Sequence, residues 1–341
     1  MSEIPVLTTD QMREVDRAMV EDYHIDLVQM MENAGRHLAG LARERLMQGN
    51  PQGRSVLVFC GTGGNGGGGL VAARRLHGWG AQVLVRLARP VGDYGGVPGH
   101  QLDIARRVGV GIEMPPYPES VAARQQPDVL IDALVGYGLQ GALKGEAARL
   151  VDQINGLGAS VLSLDAPSGL DSTSGRPYGA CVRADATLTL AYPKTGLFAR
   201  GAEESTGELY LADIGVPHAL IAAEPLDLQP EVVFARREVL RLDRGPGLSE
   251  PATAAAVEAL LTATSNVHHK TFARTDGVDP KWAAWYAHYA GAALEGLLGV
   301  TVAEERFARL LTEFAEASNS DDEGSDWASS YTQLLMQRLR V

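Results

Sequence analysis

Residues 60–70 read Cys-Gly-Thr-Gly-Gly-Asn-Gly-Gly-Gly-Gly-Leu, and no other stretch limits the possible folds so sharply. Arg54–Phe59 before it is a β-branched and aromatic run, which predicts a buried strand. Leu70–Leu76 after it has the leucine spacing and alanine content of a helix. Strand, glycine loop and helix in that order aim backbone N–H groups and a helix dipole at a phosphate. Seven glycines leave room for positive φ and for a ligand lying directly on the backbone. The bland alternative is a flexible surface turn, but linkers rarely have so good a strand and helix on either side.

Gly61, Gly63 and Gly66 have the G-x-G-x-x-G spacing of dinucleotide-binding loops. A conventional dehydrogenase also needs an acidic residue after the next strand, to hold the ribose. That strand, Gln82–Leu87, is followed by Ala88–Arg89–Pro90, so the carboxylate is missing. A conventional dehydrogenase is therefore disfavoured. Arg86 and Arg89 offer charge for a 2′-phosphate, although surface arginines are the commoner case.

The rest of the chain fills out an α/β pattern. Helix starts fall at Thr8–Met12 and near Asp26, the second helix running to about Met47. Glu32 and Asn33 interrupt its apolar stripe, either as a solvated edge or as a pair reaching toward a site. Gly92–Gly99 reads as a loop and His100–Val108 as a helix. Strands are expected at Asp128–Leu134, Ser160–Leu164, Ala186–Tyr192 and Glu208–Ala212, with a helix at Glu146–Asn155. The first two of these strands run into Gly136–Gly141 and Asp165–Asp171, and Lys194 follows the third. In a parallel sheet such strand ends share one edge, where ligands bind. The expectation is a three-layer Rossmann-like fold with a mainly parallel sheet.

At 341 residues there is room for a second unit. We expect the first domain at 1–242, a linker at 243–251 and a small all-helical domain at 252–341. Helical patterns fall at Ala252–Thr262, Lys281–Leu298, Val302–Ala317 and Trp327–Leu339. His268, His269 and His288 lack a metal-site spacing, and the stripe Trp282, Trp285, Tyr286, Tyr289 reads as core or interface. A net charge of −12 argues against wholesale nucleic-acid binding. Cys60 and Cys181 read as small buried residues, not as a disulfide or metal ligands. The lack of a signal-like start or a membrane-length apolar run gives no membrane role and a cytoplasmic location as the expectation.

Four ordered motifs resemble the NAD(P)H-hydrate epimerase family, the N-terminal-type domain of the YjeF group, over roughly Ile4–Pro217. Gly61–Arg74 reads GTGGNGGGGLVAAR where the family has GxGNNGGDGLVAAR. Asp132–Leu139 reads DALVGYGL, Asp165–Asp171 reads DAPSGLD, and Ala191–Leu197 reads AYPKTGL. The resemblance implies a homodimer that equilibrates the R and S epimers of hydrated NADH and NADPH and feeds a separate ADP/ATP-dependent hydrate dehydratase. It also implies a potassium ion on Asn65, Asp132 and Ser168. The substrate cradle would be Gly64, Asn65, Gly66, Gly67 and Gly68 with Gly136, Tyr137, Gly138, Leu139, Gln140, Gly141 and Ala142, together with Lys194. Asp165 would bind substrate and act as the acid/base. Gly64 stands where the family has Asn, and Gly68 where it has Asp. Phosphate binding by backbone N–H groups should survive both changes, and restoring Gly68→Asp is expected to raise turnover. The alternative is a catalytically weakened nucleotide-binding module with a helical, partner-recruiting tail.

Overall fold

The computed structural model describes residues 4–117, 126–224 and 233–242 and, with gaps, 226–228 and 254–339. Eight strands form one sheet: β1 (Ser55–Cys60), β2 (Gln82–Leu87), β3 (Gly111–Glu113), β4 (Val129–Ala133), β5 (Ser160–Leu164), β6 (Ala186–Leu190), β7 (Glu208–Ala212) and β8 (Val239–Leu242). Their spatial order is β3-β2-β1-β4-β5-β6-β7-β8. All neighbours pair parallel except β7 and β8. Chain order reverses between β1 and β4, and such a switch point opens a crevice at the carboxyl ends of the strands.

The two faces of β1 explain the layering. Val56, Val58 and Cys60 pack on one side with Leu70, Leu76 and Leu102 from α3 (Gly64–Gly78) and α4 (Gly96–Arg107). Leu57 and Phe59 face the other way, toward Leu150, Val151 and Ile154 of α5 (Glu146–Gly156). Alternation along a strand buried on both faces gives helix, sheet, helix. Further along the first face, α1 (Thr9–Glu21) and α2 (Leu27–Leu41) close the structure around Met12, Val15, Met19 and Met30. A capping box at Thr8 fixes the start of α1.

The loop expected at 60–70 is much shorter in the structure. Helix α3 begins at Gly64, so Gly64 and Gly66–Gly69 are helical. None of the glycines from 61 to 69 takes a positive φ. Their role is steric: a Cβ on Gly67 would lie 2.3 Å from Met31 Sδ, and one on Gly69 2.5 Å from Ala133 Cβ. The glycine run lets α3 sit directly on α2 and the sheet. Helix α4 also starts inside the expected Gly92–Gly99 loop, because Pro98 falls in its first turn, where a missing N–H costs nothing. The second helix ends at Leu41 and continues as a π-turn over Ala42–Leu46.

Beyond the sheet, Trp282–Leu298, Glu304–Ser318 and Trp327–Leu339 are helices, and residues 254 and 256–262 are helical. They enclose a core of their own, including Val257, Leu261, Ala287, Leu294, Phe307 and Leu335. The expected linker at 243–251 and His269 lie outside the described residues. His268 packs edge-on against Trp285 at 5.1 Å, and His288 is exposed beside Glu304 at 3.3 Å. Among the described residues no three His, Cys, Asp or Glu side chains cluster as a metal site. Both cysteines are free, Cys60 buried and Cys181 half-buried. No helix of the described residues is long and apolar enough to cross a membrane.

Candidate functional site

A cleft of about 580 Å³ opens at the carboxyl ends of β1, β4 and β5. Its lining includes Gly63, Gly64 and Asn65 at the start of α3, and Gly136–Gly138 after β4. Asp165, Lys194 and Arg89 line it as well, and α1 adds Met12 and Asp16. The first N–H groups of a helix lack intrahelical acceptors, and no side chain caps α3. That end of the cleft therefore presents backbone donors and the positive end of a helix dipole.

Asp165 stands where β5 ends. Its φ is +66°, a region uncommon for residues other than glycine, and such strain concentrates at functional sites. Three contacts hold it there. Its backbone N–H donates to Leu188 O at 2.7 Å. Its Oδ2 accepts from the Tyr137 backbone N–H at 2.8 Å, and its Oδ1 from Lys194 Nζ at 2.5 Å. Lys194 is 0% exposed and also donates to Leu190 O at 2.9 Å and Thr189 Oγ1 at 3.1 Å. All three ammonium protons are thus placed, and the carboxylate and ammonium form a buried, hydrogen-bonded pair. Ala191, at the end of β6, also has positive φ, at +61°.

The Asp132 cluster lies beneath this surface. Asp132 is fully buried in β4, aligned with Phe59 on β1 and Ser163 on β5. Its Oδ1 accepts from Ser168 Oγ at 2.6 Å and Leu134 N at 3.2 Å; its Oδ2 accepts from Ser168 N and Ser163 Oγ, both at 2.8 Å. No Lys or Arg pairs with it among the described residues, and burial pushes its carboxyl above the usual range despite those hydrogen bonds. Ser168 Oγ also accepts from the N–H of Val135, which lines the cleft. Asn65 Nδ2 is buried without a hydrogen-bond partner. A Cβ on Gly136 would fall 2.6 Å from Asp165 Oδ2 and 3.2 Å from Asn65 Oδ1, so only glycine passes between those groups.

Not every expected residue reaches the cleft. Gly66, Gly67 and Gly68 are buried in α3, and Leu139, Gln140, Gly141 and Ala142 are outside the lining. Asp132 and Ser168 come together below it. Glu32 binds Arg74, and Arg75 at 3.1 Å, while Asn33 donates to Ile214 O at 3.3 Å. Glu32 thus ties α2 to α3, and Asn33 ties α2 to the loop after β7. Arg86 is buried against Glu113 at 2.8 Å, which leaves Arg89 as the arginine at the cleft.

Asp16 is the residue that sequence reading missed. It lines the cleft and accepts from Tyr137 Oη at 2.5 Å. Its position carried a signal: Met12, Val15, Ala18 and Met19 form the buried stripe of α1, and Asp16 is a half-buried carboxylate one turn from Met12 and from Met19.

Residues 27–196 match the family described as YjeF-related protein N-terminus. An NAD(P)H-hydrate epimerase from Dehalogenimonas lykanthroporepellens is 45% identical over 221 residues, covering 64% of this chain and 84% of the relative. One from Rhodopirellula baltica is 35% identical, covering 64% of this chain and 88% of that one. A bifunctional NAD(P)H-hydrate repair enzyme from Moorella thermoacetica is 35% identical over 277 residues, 75% of this chain and 52% of that longer protein. The crystal structure of a yeast protein shares the fold, with a TM-score of 0.60 at 20% identity, covering 70% of this chain and all of that one.

Proposed function

The chain belongs to the NAD(P)H-hydrate epimerase family, and from that premise we propose that it interconverts the R and S epimers of hydrated NADH and NADPH, a repair of damaged nicotinamide nucleotides. The observation that carries the reading is Asp165, held at positive φ by Lys194 and Tyr137 in a cleft at the switch point of the sheet. The hydrate has a hydroxyl on C6 beside the ring nitrogen. Epimerisation removes that hydroxyl and restores it on the other face, or opens and recloses the ring. Either route needs proton transfer at oxygen, which a positioned carboxyl accelerates about 10²–10⁴-fold. Asp165 is the proposed acid/base. The N-terminus of α3 is the proposed phosphate site, with Gly136–Gly138 as the opposite wall.

Potassium fits the donor set. Asp132, Ser168 and Asn65 would hold it: a buried carboxylate without a cationic partner, a hydroxyl, and an amide with a vacant hydrogen-bonding position. A half-turn of that amide exchanges its nitrogen and oxygen. When bound, the ion supplies positive charge that offsets Asp132 and the substrate phosphates. The chain's own residues still do the positioning: Gly136 leaves the gap, Tyr137 N–H orients Asp165, and Lys194 fixes it. Arg89 is the proposed partner for a 2′-phosphate. We carry a homodimer, a cytoplasmic location and a separate dehydratase as parts of the same reading.

The test supplies R-hydrated NADH with an S-specific dehydratase and follows NADH recovery in potassium and in choline buffer. Recovery should exceed the spontaneous rate in potassium, fall in choline, and fall to background in Asp165→Ala. Recovery at background in the wild-type protein, with dinucleotide binding intact, would leave the nucleotide-binding module as the better account.

A further inference from the structure

Two carboxyl groups face the cleft, and one residue joins them. Tyr137 donates its backbone N–H to Asp165 Oδ2 at 2.8 Å and its hydroxyl to Asp16 Oδ2 at 2.5 Å. A tyrosine side chain therefore spans the distance between them, one carboxyl at the sheet edge and the other on α1. Two carboxyl groups at one reacting carbon are a recurring arrangement in enzymes that break and remake a bond there.

The two carboxyls have different surroundings. Asp165 is paired with buried Lys194. Asp16 has no cationic partner among the described residues, because the arginines of its own helix are committed elsewhere. Arg13 binds Asp10, and Arg17 binds Glu14 at 2.6 Å, Asp22 at 2.8 Å and Glu21 at 3.0 Å. The titratable and charged groups that face Asp16 from other elements are Tyr137, Lys194 and Asp165. Burial raises its carboxyl above the ordinary range; the Tyr137 hydrogen bond and Lys194 pull down, and Asp165 pushes up. The surroundings of Asp16 thus favour its protonated form.

Resting on the epimerase reading, we propose that Asp16 is the second proton-transferring group, acting on the C6 hydroxyl from the α1 wall while Asp165 acts from the sheet edge. In one direction the Asp16 carboxylic acid gives its proton to the C6 hydroxyl. The C6–O bond breaks with its electron pair on oxygen, and water leaves. The N1 lone pair forms the N1=C6 double bond, a cation beside the Asp165 carboxylate. Water then adds to C6 on the other face, the N1=C6 π pair returns to N1, and the added water gives a proton to Asp165. Asp165 now carries the proton that Asp16 lost, and the reverse direction starts from this state. Solvent exchanges the two protonation states, and no oxidant or reductant takes part.

The experiment compares kcat and KM for R-hydrated NADPH, coupled to an S-specific dehydratase, in wild type, Asp16→Asn and Asp16→Glu. We expect Asp16→Asn to lower kcat about 100-fold or more with KM within about threefold, and Asp16→Glu to keep at least about a tenth of kcat. An unchanged kcat in Asp16→Asn, or a loss confined to KM, overturns the proposal. If Asp16→Asn does not fold by circular dichroism, Tyr137→Phe decides. That variant removes a hydrogen bond that holds the Asp16 carboxyl down, so the alkaline limb of the pH–kcat profile should move up. A limb that stays in place overturns the assignment. A wild-type protein at background rate fails the epimerase reading itself and this proposal with it; an active wild type with an indifferent Asp16→Asn fails only the proposal.

Discussion

A Cβ on Gly68 would lie 2.8 Å from Leu164 Cδ2 and 3.7 Å from Ala34 Cβ. The space of the family's aspartate side chain is therefore already taken by a leucine. This changes the expectation that restoring the carboxylate would raise turnover. Gly68→Asp alone must displace Leu164 and place a charge in a buried site, so it should destabilise the protein by about 1–3 kcal/mol from overpacking alone, with no gain in kcat. Adding Leu164→Ala makes room, and the double variant should recover part of the loss in a urea melt. Position 64 behaves differently. A Cβ there meets only Met31 Cε at 3.6 Å, and the residue lines the cleft. Gly64→Asn should fold as well as wild type and alter KM. Improved turnover in Gly68→Asp with unchanged stability would show that Leu164 moves aside at little cost.

At the scale of elements, α3 depends on glycine for contact, and this can be measured. A Cβ on Gly66 would fall 1.8 Å from Gly61 O, and one on Gly35 of α2 2.4 Å from Val71 Cβ. Alanine favours a helix over glycine by about 0.8–1.0 kcal/mol, but backbone cannot yield at 1.8 Å. Gly66→Ala should therefore lose several-fold more stability than that gain, whereas Gly64→Ala should be neutral or slightly stabilising; chemical denaturation of both variants checks the contrast. The sequence showed the strands well. Gln82–Leu87, Ser160–Leu164 and Glu208–Ala212 are found with the expected ends, because each is an apolar run between turn residues. It did not show β3 or β8, which are three and four residues long and have partners only through the sheet. It read the glycine run as a ligand-cradling loop with positive φ, where most of it is helix, because composition does not distinguish freedom in φ from the need for close contact. Asp165 and Lys194 were legible through their motifs. Asp16 was not, because a lone carboxylate on an apolar stripe acquires meaning only when Tyr137 comes from 121 residues away to meet it.

For the whole molecule, the open question is what the helical segment does for the site. Helix Trp282–Leu298 rests on the short turn Thr195–Phe198, which directly follows Lys194. Tyr289 on that helix is half exposed, and Asp10 and Arg13 of α1 lie within electrostatic reach of it. The segment thus touches the turn that follows Lys194 and comes within electrostatic reach of α1, yet none of its described residues lines the cleft. A support of this kind acts on stability before it acts on chemistry. We treat 1–242 as a domain of its own, and a chain ending at Leu242 tests that division. It should fold and keep kcat within about tenfold of the full chain. If the lost contact is worth about 2 kcal/mol, the thermal midpoint should fall by about 4–8 °C, the scaling for a domain of this size. Circular dichroism melting and the coupled recovery assay read the two quantities separately. A shortened chain that melts normally but loses most of its kcat would mean that the segment governs the placement of Lys194 itself. A shortened chain unchanged in both would free the helices from any service to the cleft and favour a partner as their purpose.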